Sequence, residues 1–276
     1  MINLIKRHPL IAYFLITYAV SWSFEIPLAL IQQKMISVQI PMWVHYFAAL
    51  GPLTGALIMT SLTEGRSGLR NLVARIFKWR VGIRYYAFAI LVPLVLFAFG
   101  CIVNRFVTGD WPPLRLLGEV DYLPYLTPLG ALGLWLATFG LGEEIGWRGY
   151  ALPHLQKTRS ATVSTLILGI LWACWHLPMF FYRDTYMKMG IMGFPMLALS
   201  LMFAAMIFTW LYNSTNGSVW IVIIFHAVFN WLTANEAGGQ FAAAILSVGI
   251  ILWALYIPRR YGMENAAHLT RQVTEY

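Results

Sequence analysis

The chain has 276 residues, of which 59% are hydrophobic and only 11% charged. A soluble domain carries about 25% charged residues, so this composition excludes an ordinary water-coated globule. The net charge of +8 would suit a nucleic-acid binder, but the placement of the charges assigns it to membrane surfaces instead. Cys101 and Cys174 lie in separate apolar runs, which gives neither a disulfide framework nor a zinc-type cysteine spacing.

In chain order, eight apolar stretches approach the roughly 20 residues that a bilayer-crossing helix needs. They fall at about 9–31, 43–62, 85–105, 126–150, 161–182, 192–212, 218–235 and 240–257. The first follows Lys6, Arg7 and His8, is longer than a signal-peptide core and ends in no small-residue cleavage site. Full-width hydrophobicity favours helices, because barrel strands alternate in roughly 10-residue pieces. The expected fold is all-α: one integral membrane domain over 1–276, with about eight transmembrane helices and both termini cytoplasmic.

Lys and Arg counts set that orientation. Of the 19 basic residues, only Lys34, Arg105, Arg115, Arg183 and Lys188 then fall outside, which satisfies the positive-inside rule. The stretch from Arg66 to Arg84 interleaves basic and apolar residues. It reads as an interfacial segment on anionic lipid, or as an ordinary cytoplasmic loop. The polar stretch from Phe106 to Tyr125 reads as an external loop. Glu25 is expected to snorkel from the outer end of the first span, and His45, beside Trp43 and Tyr46, to sit at the interface.

Polar residues interrupt the later spans. Glu143 and Glu144 lie in Phe139-Gly-Leu-Gly-Glu-Glu-Ile-Gly-Trp-Arg148. A charge near the bilayer centre costs roughly 2.5–3.5 kcal/mol and marks a functional site by default. Glu144 and Arg148 stand four apart, acid first, and are expected to pair. Glu143 points about 100° away on a helix, towards a cavity. His176 follows Trp172 by four, and His226 precedes Asn230 by four. The turn at Gln156–Ser160 is equidistant from Glu143 and His176, so two helical arms bring them to similar depth unless Pro153 kinks one. His226 and Asn230 lie roughly 14–20 Å up a helix from the turn at 213–217. Any one of these residues alone would be ordinary interhelical hydrogen bonding; the ordered set at one depth points to a site. Gly142 and Gly146 form a small-xxx-small pair for close helix approach.

The order Glu143-Glu144-Ile-Gly-Trp-Arg148, Trp172-Ala-Cys-Trp-His176, His226-Ala-Val-Phe-Asn230 resembles the CPBP family of intramembrane endopeptidases, which includes type II CAAX prenyl endopeptidases and bacteriocin-processing homologues. The family signatures are Glu-Glu-x-x-x-Arg, Phe-x-x-x-His and His-x-x-x-Asn/Asp, so Trp172 departs from the usual Phe. The resemblance spans about 126–235, the expected catalytic core. It implies a glutamate-dependent peptidase without a cofactor. Glu143 and His176 would activate water, and His226 and Asn230 would hold the oxyanion, with Glu144 and Arg148 in support. Expected partners are a peptide or membrane-protein substrate and the bilayer, not nucleic acid, and the expected location is a prokaryotic cell membrane.

Three rivals remain at this level. Glu143, His176 and His226 contain the donors of a His₂Glu zinc protease. A non-catalytic immunity or regulatory protein would use the same surface for binding. A proton-coupled transporter would use a Glu–His relay, but no inverted repeat is visible.

Overall fold

The computed structural model describes residues 2–274. Its elements are α1 (Ile2–Arg7), α2 (Pro9–Gln32), a 3₁₀ segment (Met42–Ala49) leading into α3 (Leu50–Thr63), α4 (Gly65–Ile76) and α5 (Ile83–Thr108). A broken helix, α6, fills 128–155. Then come α7 (Ala161–Trp175), short α8 (Asp184–Met189), α9 (Phe194–Ser214), α10 (Val219–Thr233) and α11 (Gly239–Tyr261). No strand occurs among the described residues. The chain is an all-helical integral membrane protein.

Among the described residues, six helical spans are long and apolar enough to cross a membrane: Pro9–Gln32, Met42–Thr63, Ile83–Thr108, Ala161–Phe181, Ile191–Ser214 and Gly239–Tyr261. The two remaining apolar stretches form different structures. α10 has 15 residues, about 22 Å at helical rise, which is short of the roughly 30 Å hydrocarbon core. α6 is not one regular helix. It runs α over Pro128–Trp135, π over Leu136–Glu143, a single α turn over Glu144–Gly146, π over Trp147–Ala151 and α over Leu152–Leu155. Such π segments concentrate at functional sites, and these two flank the acidic pair.

On α2 the outward face is apolar and the inward face carries polar residues. On α2, Ile11 and Leu15 face outward, while Tyr13, Thr17, Ser21 and Glu25 form a buried stripe at the four-residue spacing of one helix face. That stripe packs on α3. Small residues bring α6 against its neighbours: a Cβ on Gly142 would lie 2.5 Å from the Ala49 carbonyl oxygen, and one on Gly146 would lie 2.5 Å from that of Pro52.

Helix ends are fixed by side-chain caps that the sequence supplies. Thr127 accepts from the Gly130 amide, Ser160 from Val163 and Ser218 from Ile221. These caps set the starting depth of α6, α7 and α10. The C-terminal stretch after α11 folds back on the turns. Gln156 and Asn213 exchange two hydrogen bonds of 3.1 and 2.8 Å, and the Asn213 amide also donates to the Asn265 carbonyl.

α4 carries its basic residues outward, with Arg66 and Arg70 exposed and Leu72 and Ile76 buried. That is the amphipathic pattern of an interfacial helix. The 106–125 loop is anchored rather than loose. Arg183 pairs with Asp121, and the Tyr46 hydroxyl donates to the Asp121 carbonyl.

Two expectations about single residues are corrected. Glu25 does not snorkel, and His45 is not interfacial; both are fully buried. The Tyr182 hydroxyl donates to Glu25 Oε1 at 3.1 Å and lies 2.5 Å from His45 Nδ1. Tyr182 supplies each of them with one polar partner inside the bundle.

Candidate active site

Glu143, His176, His226 and Asn230 line one cavity of about 180 Å³, walled otherwise by aromatic and aliphatic side chains such as Trp135, Phe139 and Phe208. They come from α6, the end of α7 and α10. Glu143 is 1% exposed, His176 8% and His226 5%. Three polar groups thus sit in an almost closed site within the membrane bundle, where each needs a partner.

Glu143 takes its partners from indoles. Its Oε2 accepts from Trp172 Nε1 at 2.6 Å and from Trp147 Nε1 at 3.0 Å. Trp147 lies four residues on along α6, whereas Trp172 reaches across from α7. These two donors were not legible in the pattern, where tryptophans read as span filling. The one available signal was Trp172 at the position where the resembled motif has Phe, because only the indole brings an N–H donor.

Glu144 faces away into a separate charged knot. Arg148 Nη1 donates to Glu144 Oε1 at 2.9 Å and to Oε2 at 3.0 Å. His226 Nδ1 lies 2.7 Å from the same Oε1. Both side chains of the ion pair are fully buried. The Arg148 guanidinium also stacks over Phe208 at 4.2 Å and Trp172 at 4.9 Å, contacts that suit a weakly hydrated cation.

The two histidines are oriented by their Nδ1 atoms. His176 Nδ1–H donates to the Trp172 carbonyl at 2.7 Å, which leaves Nε2 as the acceptor of the neutral ring. Tyr186 stacks against this ring at 6.1 Å and 17°. Tyr186 also lines the cavity, and the sequence pattern did not single it out. His226 Nδ1 is engaged by Glu144, so its Nε2 donates only when the ring carries both protons. Glu143 and His176 share the cavity without a direct hydrogen bond between them.

No three His, Cys, Asp or Glu side chains converge as a metal-ion set among the described residues. Glu143, His176 and His226 share the cavity wall, but the hydrogen bonds to Glu143 Oε2 and His226 Nδ1 turn those atoms towards protein partners.

A family model described as Rce1-like, type II CAAX prenyl endopeptidase, matches residues 125–232. The matched stretch contains Glu143, His176, His226 and Asn230 and the Glu144–Arg148 pair. The chain is also similar to a protein named CAAX prenyl protease 2 from Methanococcus maripaludis. The two are 24% identical over 235 residues, covering 83% of this chain and 85% of that protein.

Proposed function

We propose that the chain is a CPBP-type membrane protease, as its similarity to the Rce1-like model and to CAAX prenyl protease 2 supports, and that it acts as an intramembrane glutamate/histidine endopeptidase. The observation that carries this reading is the convergence of Glu143, His176, His226 and Asn230 on one cavity. Water held between the Glu143 carboxylate and His176 Nε2 attacks the scissile carbonyl carbon. Glu143 takes the proton, and the carbonyl oxygen becomes an oxyanion. The Asn230 amide donates to it, and the His226 ring stands beside it in the same cavity. Glu143 then returns its proton to the amide nitrogen as the C–N bond breaks, leaving a new carboxyl and a new amine.

The surroundings support these roles. The two indole N–H groups hold Glu143 in one position. The Glu144 carboxylate fixes the orientation of the His226 ring through Nδ1. Orientation of this kind supplies much of the rate enhancement in acid–base catalysis.

The substrate class is a peptide segment that reaches the site from the membrane or its surface, and the location is a prokaryotic cell membrane. The test is a comparison of newly formed peptide termini in cells carrying the wild-type chain or Glu143→Ala. Termini present only with the wild type are expected and would identify the substrate. Identical sets would leave a non-catalytic binding role as the better account.

A further inference from the structure

A second pair of cavities lies away from the catalytic set. The first, about 430 Å³, is bounded by apolar and aromatic side chains of α5, α9, α10 and α11, among them Val92, Leu96, Phe225 and Leu252. The second, about 410 Å³, is lined by Arg84, Tyr85, Trp210, Tyr261 and His268. Phe88 and Trp253, whose ring centroids lie 5.3 Å apart, border both, so an apolar groove adjoins a basic mouth across this aromatic pair.

Helix packing explains the shape. α5 and α11 touch where a Cβ on Gly100 would lie 2.4 Å from the Ala242 Cα. Leu96 also packs close to Gly249, and the groove runs along this seam. From Leu96 to Arg84 it follows α5 for about 18 Å at helical rise. One leaflet is half of the roughly 30 Å hydrocarbon core, so the apolar part matches a single leaflet in depth. Trp253 and Tyr261 then stand where interfacial aromatic residues belong.

The mouth is basic and incompletely paired. Arg84 and His268, 184 residues apart in sequence, meet at 3.4 Å between Nη2 and Nε2. The returning C-terminal stretch brings His268 there. Arg84 Nη2 also donates to the Tyr85 hydroxyl at 2.9 Å. No carboxylate pairs with Arg84 among the described residues. A guanidinium that meets only a ring nitrogen and a phenol hydroxyl keeps N–H donors from which an anion can accept.

We propose that this groove binds one anionic phospholipid, with an acyl chain along α5 and α11 and its phosphate at Arg84 and His268. Basic clefts between transmembrane helices at the headgroup level recognise such lipids. Phe229 lines both the apolar groove and the catalytic cavity, which puts the chain of the lipid one side chain from Asn230.

The test uses the full-length protein in mild detergent and needs no peptidase activity. Thermal unfolding is followed with phosphatidylglycerol, with diacylglycerol of the same chains and with glycerol phosphate. Phosphatidylglycerol is expected to raise the midpoint most. Arg84→Gln should weaken the phosphatidylglycerol effect about tenfold in half-saturating concentration and bring it to the diacylglycerol level. Val92→Trp, which fills the groove from its rim, should remove the response to both lipids; Leu252→Trp fills it from the opposite wall if the first variant does not fold. Equal responses to all three ligands, or undiminished phosphatidylglycerol responses in Arg84→Gln or in the groove-filling variant, would overturn the proposal.

Discussion

Trp172 Nε1 donates to Glu143 Oε2 at 2.6 Å, so the residue that departs from the family's Phe-x-x-x-His pattern holds the glutamate assigned to water activation. A hydrogen bond to a charged group contributes about 1.5–3 kcal/mol. Trp172→Phe keeps an aromatic ring and removes the donor. The expected result is a fall in kcat of roughly 10- to 100-fold with little change in KM. An unchanged kcat would mean that Trp147 alone positions Glu143.

The adjacent carboxylates should separate by phenotype. Glu144→Gln leaves the buried Arg148 without its counter-ion and weakens the hold on His226. Removing one partner of a buried ion pair costs about 3–5 kcal/mol, so the thermal unfolding midpoint should drop clearly. Glu143→Gln keeps an acceptor oxygen for the indoles and should unfold near the wild-type temperature. The reverse order of stabilities would show that the structural and chemical roles are exchanged.

Asn230 tests the oxyanion assignment. Asn230→Ala should lower kcat by roughly 10²–10³, the range for losing one such donor, while KM moves little. A change confined to KM would make Asn230 a substrate-binding residue.

The buried Glu25–Tyr182–His45 group makes a prediction about stability alone. Tyr182→Phe removes the hydroxyl that both Glu25 and His45 contact. Leaving buried polar groups unpaired costs about 1–3 kcal/mol each, so the unfolding midpoint should fall although the ring still fits. An unaltered midpoint would show that the two side chains find other partners.

Much of this arrangement was legible in the sequence because it depends on spacing. Helix caps at Thr127, Ser160 and Ser218 fix where α6, α7 and α10 begin, so counting residues from the turns placed the polar groups at a common depth. Gly142 and Gly146 signalled close approach for the same reason. The π segments of α6 were not legible, because an apolar run with glycines reads as regular helix whatever its hydrogen-bond register. Nor were the buried states of Glu25 and His45. Their partner Tyr182 lies 157 and 137 residues away, and no local pattern encodes that pairing. The indole donors to Glu143 were hidden by the abundance of tryptophan, most of which fills space in a chain this apolar.

Metal dependence provides an independent test. The glutamate/histidine reading requires activity without stoichiometric metal and without loss on chelation. If zinc were held, His226→Ala should remove it and Asn230→Ala should not. Activity that falls with chelator and returns with zinc would move Glu143 and His176 from water activation to metal ligation.

The central claim is that Glu143 activates the attacking water. The most direct measurement is the cleavage rate of a peptide substrate by purified wild-type protein and by Glu143→Gln, with both preparations matched in thermal unfolding. The predicted result is a fall of about 10²–10⁴, the contribution of a positioned general base. A Glu143→Gln protein that cleaves at the wild-type rate would contradict it.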